Sequence, residues 1–151
     1  MKKLSLTLLF MAMACTMTFA QKSLNTAQKQ LRDNILSYIK AEGFQPTIDD
    51  DGDIKFKRQG DIYFVIIGEK DTEPMYVTLT KYYSYGTSLT KTKVTLAATE
   101  INKYKMCKLY VLDDSFKLNM ELYLKQSSAF TSIFYKLLDI MDSAEEELSE
   151  L

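Results

Sequence analysis

With no histidine among its 151 residues, the chain must do any chemistry with its carboxylates, lysines, tyrosines and two cysteines. That zero removes the commonest general base, the usual partner of a serine or cysteine nucleophile and the commonest transition-metal ligand together. Twenty Asp and Glu residues leave carboxylate chemistry open, including the paired acids of glycoside cleavage, but no spacing singles out a pair and no catalytic residue is assigned. The densest cluster, Asp49-Asp50-Asp51-Gly52-Asp53, offers the oxygen donors that a hard cation takes. Placing Gly52 at the sixth position of a calcium loop puts Thr47 at the first and Arg58 at the twelfth, where a bidentate Glu is needed. The run reads instead as a tight turn, because Asp and Gly both tolerate positive φ. Neither a metal site nor a cofactor is expected.

Tyr82-Tyr83-Ser84-Tyr85-Gly86 is the other conspicuous segment. Tyrosines suit binding surfaces, since each offers a large apolar area at low entropic cost with a polar tip. Alternation puts Tyr83 and Tyr85 on one face and Tyr82 on the other, so at least one belongs to the core. Glu145-Glu146-Glu147 and Glu150 read as a solvated helix end. Like charges there oppose the helix dipole, so fraying past Ser143 is expected.

Lys2 and Lys3 precede an uncharged, largely apolar stretch from Leu4 to Ala20 that ends Thr18-Phe19-Ala20. A basic start, an apolar run and small residues three and one before the cut describe a secretory signal peptide, cleaved after Ala20. As a membrane span the run sits at the lower limit of length and is diluted by Ser5, Thr7, Cys15, Thr16 and Thr18. Ala12-Met13-Ala14-Cys15 gives a weaker second reading as a lipoprotein signal, with Ala12 where Leu is wanted. Cleavage after Ala20 leaves 131 residues, and the loss of Lys2 and Lys3 takes the net charge from −1 to −3. Cys107 is then the single thiol. It reads as a small buried side chain at the start of a strand, with a cross-link between subunits as the alternative. The expected location is periplasmic or secreted, with no integral membrane segment after cleavage. Scattered basic residues and a negative net charge argue against nucleic acid.

The elements that must position these residues follow from periodicity. Ala27, Leu31, Ile35, Tyr38 and Ile39 recur at three and four, predicting a helix over 25–42 that Gly43 ends. From 45 to 83 the period is two. Ile54 and Phe56, then Ile62, Phe64 and Ile66, then Val77 and Leu79 mark three strands, with turns at Gly60-Asp61 and Lys70-Asp71. The middle strand is apolar on both sides, which predicts cover on both. A second helix is expected over 91–104, capped by Ser88 or Thr90. A hairpin follows, 108–112 with 116–125, joined at Asp113-Asp114-Ser115. Its second strand turns Phe116, Leu118, Met120, Leu122 and Leu124 one way and Lys117, Asn119, Glu121, Tyr123 and Lys125 the other, so one face is wet. The last helix, 128–147, carries the stripe Phe130, Ile133, Phe134, Leu137, Leu138, Met141 and Leu148, which should lie across the sheet.

Helix, three strands, helix, two strands, helix resembles the order in the fold shared by the type III secretion chaperones and the YbjN-like family, where helices cover an antiparallel sheet. Three phrases are similar to that family: Ile39-Lys40-Ala41-Glu42-Gly43-Phe44, Asp49-Asp50-Asp51-Gly52-Asp53-Ile54-Lys55-Phe56, and Ala97-Ala98-Thr99-Glu100-Ile101-Asn102. The resemblance covers nearly all of 21–151. It implies a small protein-binding module, often a homodimer, that works without cofactor or catalysis, and it carries over no catalytic residues. Those chaperones hold their clients in the cytosol, whereas this chain has an export signal, which sets it apart from feeding a secretion machine.

The expectation is therefore a signal peptide at 1–20 and one α+β domain at 21–151, with an antiparallel sheet of about five strands covered by helices. Functionally it is an exported, non-enzymatic protein-binding module with an unidentified protein partner, the sheet face and Tyr82, Tyr83 and Tyr85 forming the contact surface. The alternative is a small carboxylate-based hydrolase acting on an extracellular polymer.

Overall fold

The computed structural model describes residues 22–150. The leader, its cleavage site after Ala20 and Cys15 lie outside the described residues.

The first helix, α1, spans Thr26–Ala41. Asn25 caps it reciprocally: Asn25 Oδ1 accepts from the Gln28 amide at 2.9 Å, and Gln28 Oε1 accepts from the Asn25 amide at 2.8 Å, satisfying two amides that the first turn leaves unpaired. At the other end Gly43 takes φ +92°, and Gly43 and Phe44 donate back to Lys40 and Ile39. That left-handed stop is the geometry which makes glycine the natural residue there.

Six strands follow the expected alternation: β1 Thr47–Ile48, β2 Ile54–Arg58, β3 Asp61–Thr72, β4 Met75–Ser84, β5 Cys107–Val111 and β6 Ser115–Leu124. They form one antiparallel sheet in the order β1-β2-β3-β4-β6-β5. The fold is thus α+β, with a two-residue edge strand added to the expected set. Two turns differ from the sequence expectation. The β2–β3 turn centres on Gln59 and Gly60, both at positive φ, one residue earlier than Gly60-Asp61. Lys70-Asp71 is not a turn: β3 runs on through an irregularity between Ile67 and Thr72 and turns at Glu73-Pro74. The reason lies outside the strand. The Gln28 side chain reaches the carbonyls of Gly68, Glu69 and Asp71 at 2.8–3.2 Å, satisfying backbone that the irregular ladder leaves open.

α2, Lys91–Ile101, is capped by Thr90 and stops three residues short of the expected end. The expected last helix is two: α3, Ser127–Thr131, and α4, Phe134–Ser149. At the break, Thr131 and Ser132 hydroxyls donate to the carbonyls of Ser128 and Ala129, a local bonding choice that competes with a straight helix. The stripe still holds across the break, since Phe130, Phe134, Leu137, Leu138 and Met141 are fully buried. Their burial contributes on the order of 10 kcal/mol before conformational entropy. Fraying past Ser143 is not seen, because α4 continues to Ser149.

The core lies between the helices and one sheet face. Ile54, Phe56, Tyr63, Val65, Ile67, Val77, Leu79, Leu109, Phe116, Leu118 and Met120 point into it together with the apolar sides of α1, α2 and α4. The alternate residues stand on the other face, where Ile62, Tyr82, Tyr110 and Tyr123 remain exposed. β3 is therefore not covered on both sides: Phe64 and Ile66 are only half-buried. At the β5 edge, the Leu109 amide donates to Asn102 Oδ1 at 2.6 Å, just beyond the end of α2.

Candidate functional site

Charged groups gather on the inner face at one end of the sheet. Lys81 belongs to the apolar phase of β4, in step with Val77 and Leu79, and is 5% exposed. Its ammonium lies 2.7 Å from Asp61 and 2.6 Å from Glu145 of α4, and stands over the rings of Tyr63 and Tyr83 at 5.3 and 5.2 Å. Burial alone would push the Lys81 pKa down, but the bonds to Asp61 and Glu145 more than offset it and hold it above its ordinary value. Lys81 is thus engaged as a cation by both carboxylates. The Tyr83 hydroxyl also donates to Glu145. Burial first, then that bond, pushes the tyrosine well above its usual range. Arg58 pairs bidentately with Asp142 at 2.8 Å, and Tyr104 donates to Glu147 at 2.5 Å. Asp61 and Glu145 do converge, but the space between them, where a scissile bond would have to sit, is filled by the Lys81 ammonium. The cluster fastens α4 to the sheet.

This arrangement corrects the view of the acidic helix end as solvated for Glu145 and Glu147, which Lys81, Tyr83 and Tyr104 engage, whereas Glu146 and Glu150 are exposed as expected. The available signal was phase: Glu145 follows Met141 by four and precedes Leu148 by three, so it lies on the buried stripe, as Lys81 lies in the buried phase of its strand. A charge in the apolar phase of two elements is a pair waiting to meet.

The expected tyrosine surface divides as alternation requires. Tyr83 stacks on Phe116 at 4.9 Å and 6°. Tyr85 tilts on the same ring, its hydroxyl donating to the Leu112 carbonyl at 2.9 Å. Both are partly buried against the core. Tyr82 alone of the three faces the open side, edge-on to Phe64 at 5.6 Å.

On that open side the register places side chains in rows across the strands. One row runs Lys57, Ile62, Tyr82, Lys117, Tyr110, continuing the β3–β4 register by one pair on that face. The next runs Lys55, Phe64, Thr80, Asn119, Lys108. Lys117 Nζ stands 5.7 Å from the Tyr82 ring centre and 5.3 Å from that of Tyr110, and Lys55 Nζ stands 5.9 Å from Phe64. Among the described residues no carboxylate pairs with Lys55, Lys57 or Lys117. Beneath them Thr80 Oγ1 lies 3.1 Å from both Thr78 Oγ1 and Asn119 Oδ1, a buried polar floor that is internally satisfied. Acids lie farther along the strands. Asp53 is held by Lys22 at 2.7 Å, and Glu121 accepts from the Tyr110 hydroxyl, which with burial pushes Tyr110 up to about 12. An open depression of about 350 Å³ lies beside the first row, lined by Gly60, Ile62, Phe64 and Tyr82 among others.

The acidic run is a turn. Asp49 Oδ1 accepts from the amides of Asp51 and Asp53 at 3.1 and 2.9 Å, and Gly52 takes φ +86°. Among the described residues no three His, Cys, Asp or Glu side chains are placed to share a metal ion, and no helix is long and apolar enough to cross a membrane. Cys107 opens β5 fully buried, and burial pushes its thiol up to about 11.

Fold and face together define a one-sheet α+β domain with helices on one side and an aromatic, lysine-bearing sheet face on the other. Comparison of the chain with protein-family models, with curated proteins and with solved structures gave no match.

Proposed function

We propose that the chain is an exported, non-catalytic protein-binding module that engages its partner through the open face of its sheet. The observation that carries this reading is the gathering of exposed Ile62, Tyr82, Tyr110 and Tyr123 on one face beside Lys55, Lys57 and Lys117, which have no acid partner among the described residues. Tyrosine is enriched where interfaces hold their energy. The resemblance to type III chaperone and YbjN-like proteins read from the element order and the local phrases of the sequence is in keeping with the same class, with an unidentified protein as partner and a homodimer as the assembly. The inner ionic cluster supports a structural rather than catalytic use of the charged residues, since each carboxylate there is engaged.

The reading is tested by replacing Tyr82 with a photoreactive residue and irradiating the protein in the envelope fraction of its own cells. Adducts of defined mass from position 82 and none from Leu96, exposed on α2, are expected. Adducts from neither, or equally from both, overturn it. Mass analysis of the exported form should show Gln21 as the first residue, and light scattering at high concentration should show two copies. A strictly monomeric chain removes the dimer.

A further inference from the structure

We propose that the row Lys57, Ile62, Tyr82, Lys117 is a docking track for an extended acidic segment of a partner protein, with carboxylates four residues apart and an apolar side chain midway. The inference rests on the sheet face being a protein-binding surface and names the chemistry of what binds.

Spacing carries the argument first. Lys57 and Lys117 stand on β2 and β6, separated by β3 and β4. Strands lie about 4.8 Å apart, so the two positions are about 14 Å apart across the sheet. An extended peptide rises about 3.3 Å per residue and turns alternate side chains to one side. Residues i and i+4 on one side are thus about 13 Å apart, matching the two lysines. Residue i+2 falls about 7 Å along, between Ile62 at about 5 Å and Tyr82 at about 10 Å from Lys57. Ile62, Phe64 and Tyr82 line the open depression beside this position, together with the Asp61–Lys81 ion pair.

Charge carries it second. Lys57 and Lys117 have no carboxylate partner among the described residues, whereas the nearest acids are engaged: Asp61 by Lys81, Asp53 by Lys22 and Glu121 by Tyr110. The face is polarised. Asp53 and Glu121 lie four residues from Lys57 and Lys117 along the chain, toward the other end of the face, so an acidic segment is favoured along the lysine row and repelled from the end nearer Asp49 and Asp51. Lys117, poised over two tyrosine rings, can turn to a carboxylate without leaving a charge unpaired. A track that also seats an apolar side chain between its cations fits a polypeptide better than a uniformly charged polymer, which offers no apolar group at that place.

The experiment uses the full chain and a fluorescein-labelled peptide, Thr-Glu-Thr-Phe-Thr-Glu-Thr, followed by anisotropy at low and high salt. Controls are the same composition with adjacent Glu residues, the peptide with Gln for Glu, and polygalacturonate as competitor. Binding of the spaced peptide is expected to weaken with salt. Lys57→Ala and Lys117→Ala should each weaken it by about two- to fivefold without changing the melting temperature. Equal binding of the adjacent-Glu peptide, indifference to either substitution, or polygalacturonate binding the same lysines as tightly overturns the track. Equal binding of the Gln peptide overturns the acidic preference and leaves the face a protein-binding surface. If no peptide binds, the track falls, and cross-linking from position 82 still decides the broader reading by itself.

Discussion

The Lys81 ammonium and the Glu145 carboxylate meet at 2.6 Å, joining the buried phase of a central strand to the buried phase of the last helix. Because the Tyr83 hydroxyl also donates to Glu145, one carboxylate anchors α4 to two positions of β4. Lys81→Met removes the cation and leaves Glu145 without its charge partner. We expect a loss of about 2–3 kcal/mol in urea denaturation, below the cost at a fully buried pair because Asp61 is half exposed and screened. A midpoint within error of the parent would refute the anchoring role.

The same cluster sets an alkaline limit. Lys81, Tyr63 and Tyr83 all have folded pKa values raised above their unfolded ones. Their contribution is fully present below the unfolded values, near pH 10, and is lost as pH rises through the folded ones. Stability should therefore be level from neutral pH to about pH 10 and fall above it. In Tyr83→Phe the fall should be shallower. Denaturant midpoints measured from pH 8 to pH 11.5 distinguish the two slopes.

Gln28 serves the helix cap and the irregular end of β3 with one side chain. Gln28→Ala should lower stability by about 2 kcal/mol, the sum of a lost cap and unsatisfied carbonyls. It should also speed amide exchange selectively in residues 68–72. Uniformly faster exchange across the sheet would show that the side chain acts on global stability alone.

Gly68 faces Tyr76 so closely that an added Cβ would lie 3.2 Å from Tyr76 Cδ1 and 3.3 Å from its Cβ. Gly68→Ala should cost about 1 kcal/mol and displace Tyr76 from Tyr123, whose rings are 5.2 Å apart. An unchanged melting temperature would count against this close approach.

Cys107 should stay unreactive toward a thiol-specific disulfide reagent at pH 8 in the native protein, since it is buried and its thiol is shifted up to about 11. Reactivity should appear with unfolding at the same denaturant midpoint as loss of secondary structure. Prompt reaction of the folded protein would contradict the buried placement and reopen a cross-link between subunits.

Where structure follows from neighbours in the chain, the sequence is informative. The 3.6-residue period of α1, the two-residue period of β6, the Gly43 stop and the Thr90 cap are all local, and all are found within a residue or so of where they are expected. What escapes is decided across the fold. Lys70-Asp71 looks like a turn until Gln28, some forty residues earlier, takes the carbonyls of that stretch. The apolar stripe runs unbroken from Phe130 to Met141, so it gives no sign of the break at Ser132, where hydroxyls rather than side-chain burial decide. Tyr82, Tyr83 and Tyr85 could be assigned to opposite faces by alternation. That Lys57 and Lys117 fall in one row with Tyr82 required the register of four strands.

The short bond from the Leu109 amide to Asn102 bears on how this protein behaves in company. β5 is an outer strand, and an outward amide on such a strand is a template on which a neighbouring molecule can add its own strand and begin an open-ended stack. Asn102 occupies that amide from within the same chain. Replacing Asn102 with a residue that cannot accept would therefore reveal itself less in the folding of one molecule than in the solubility of many.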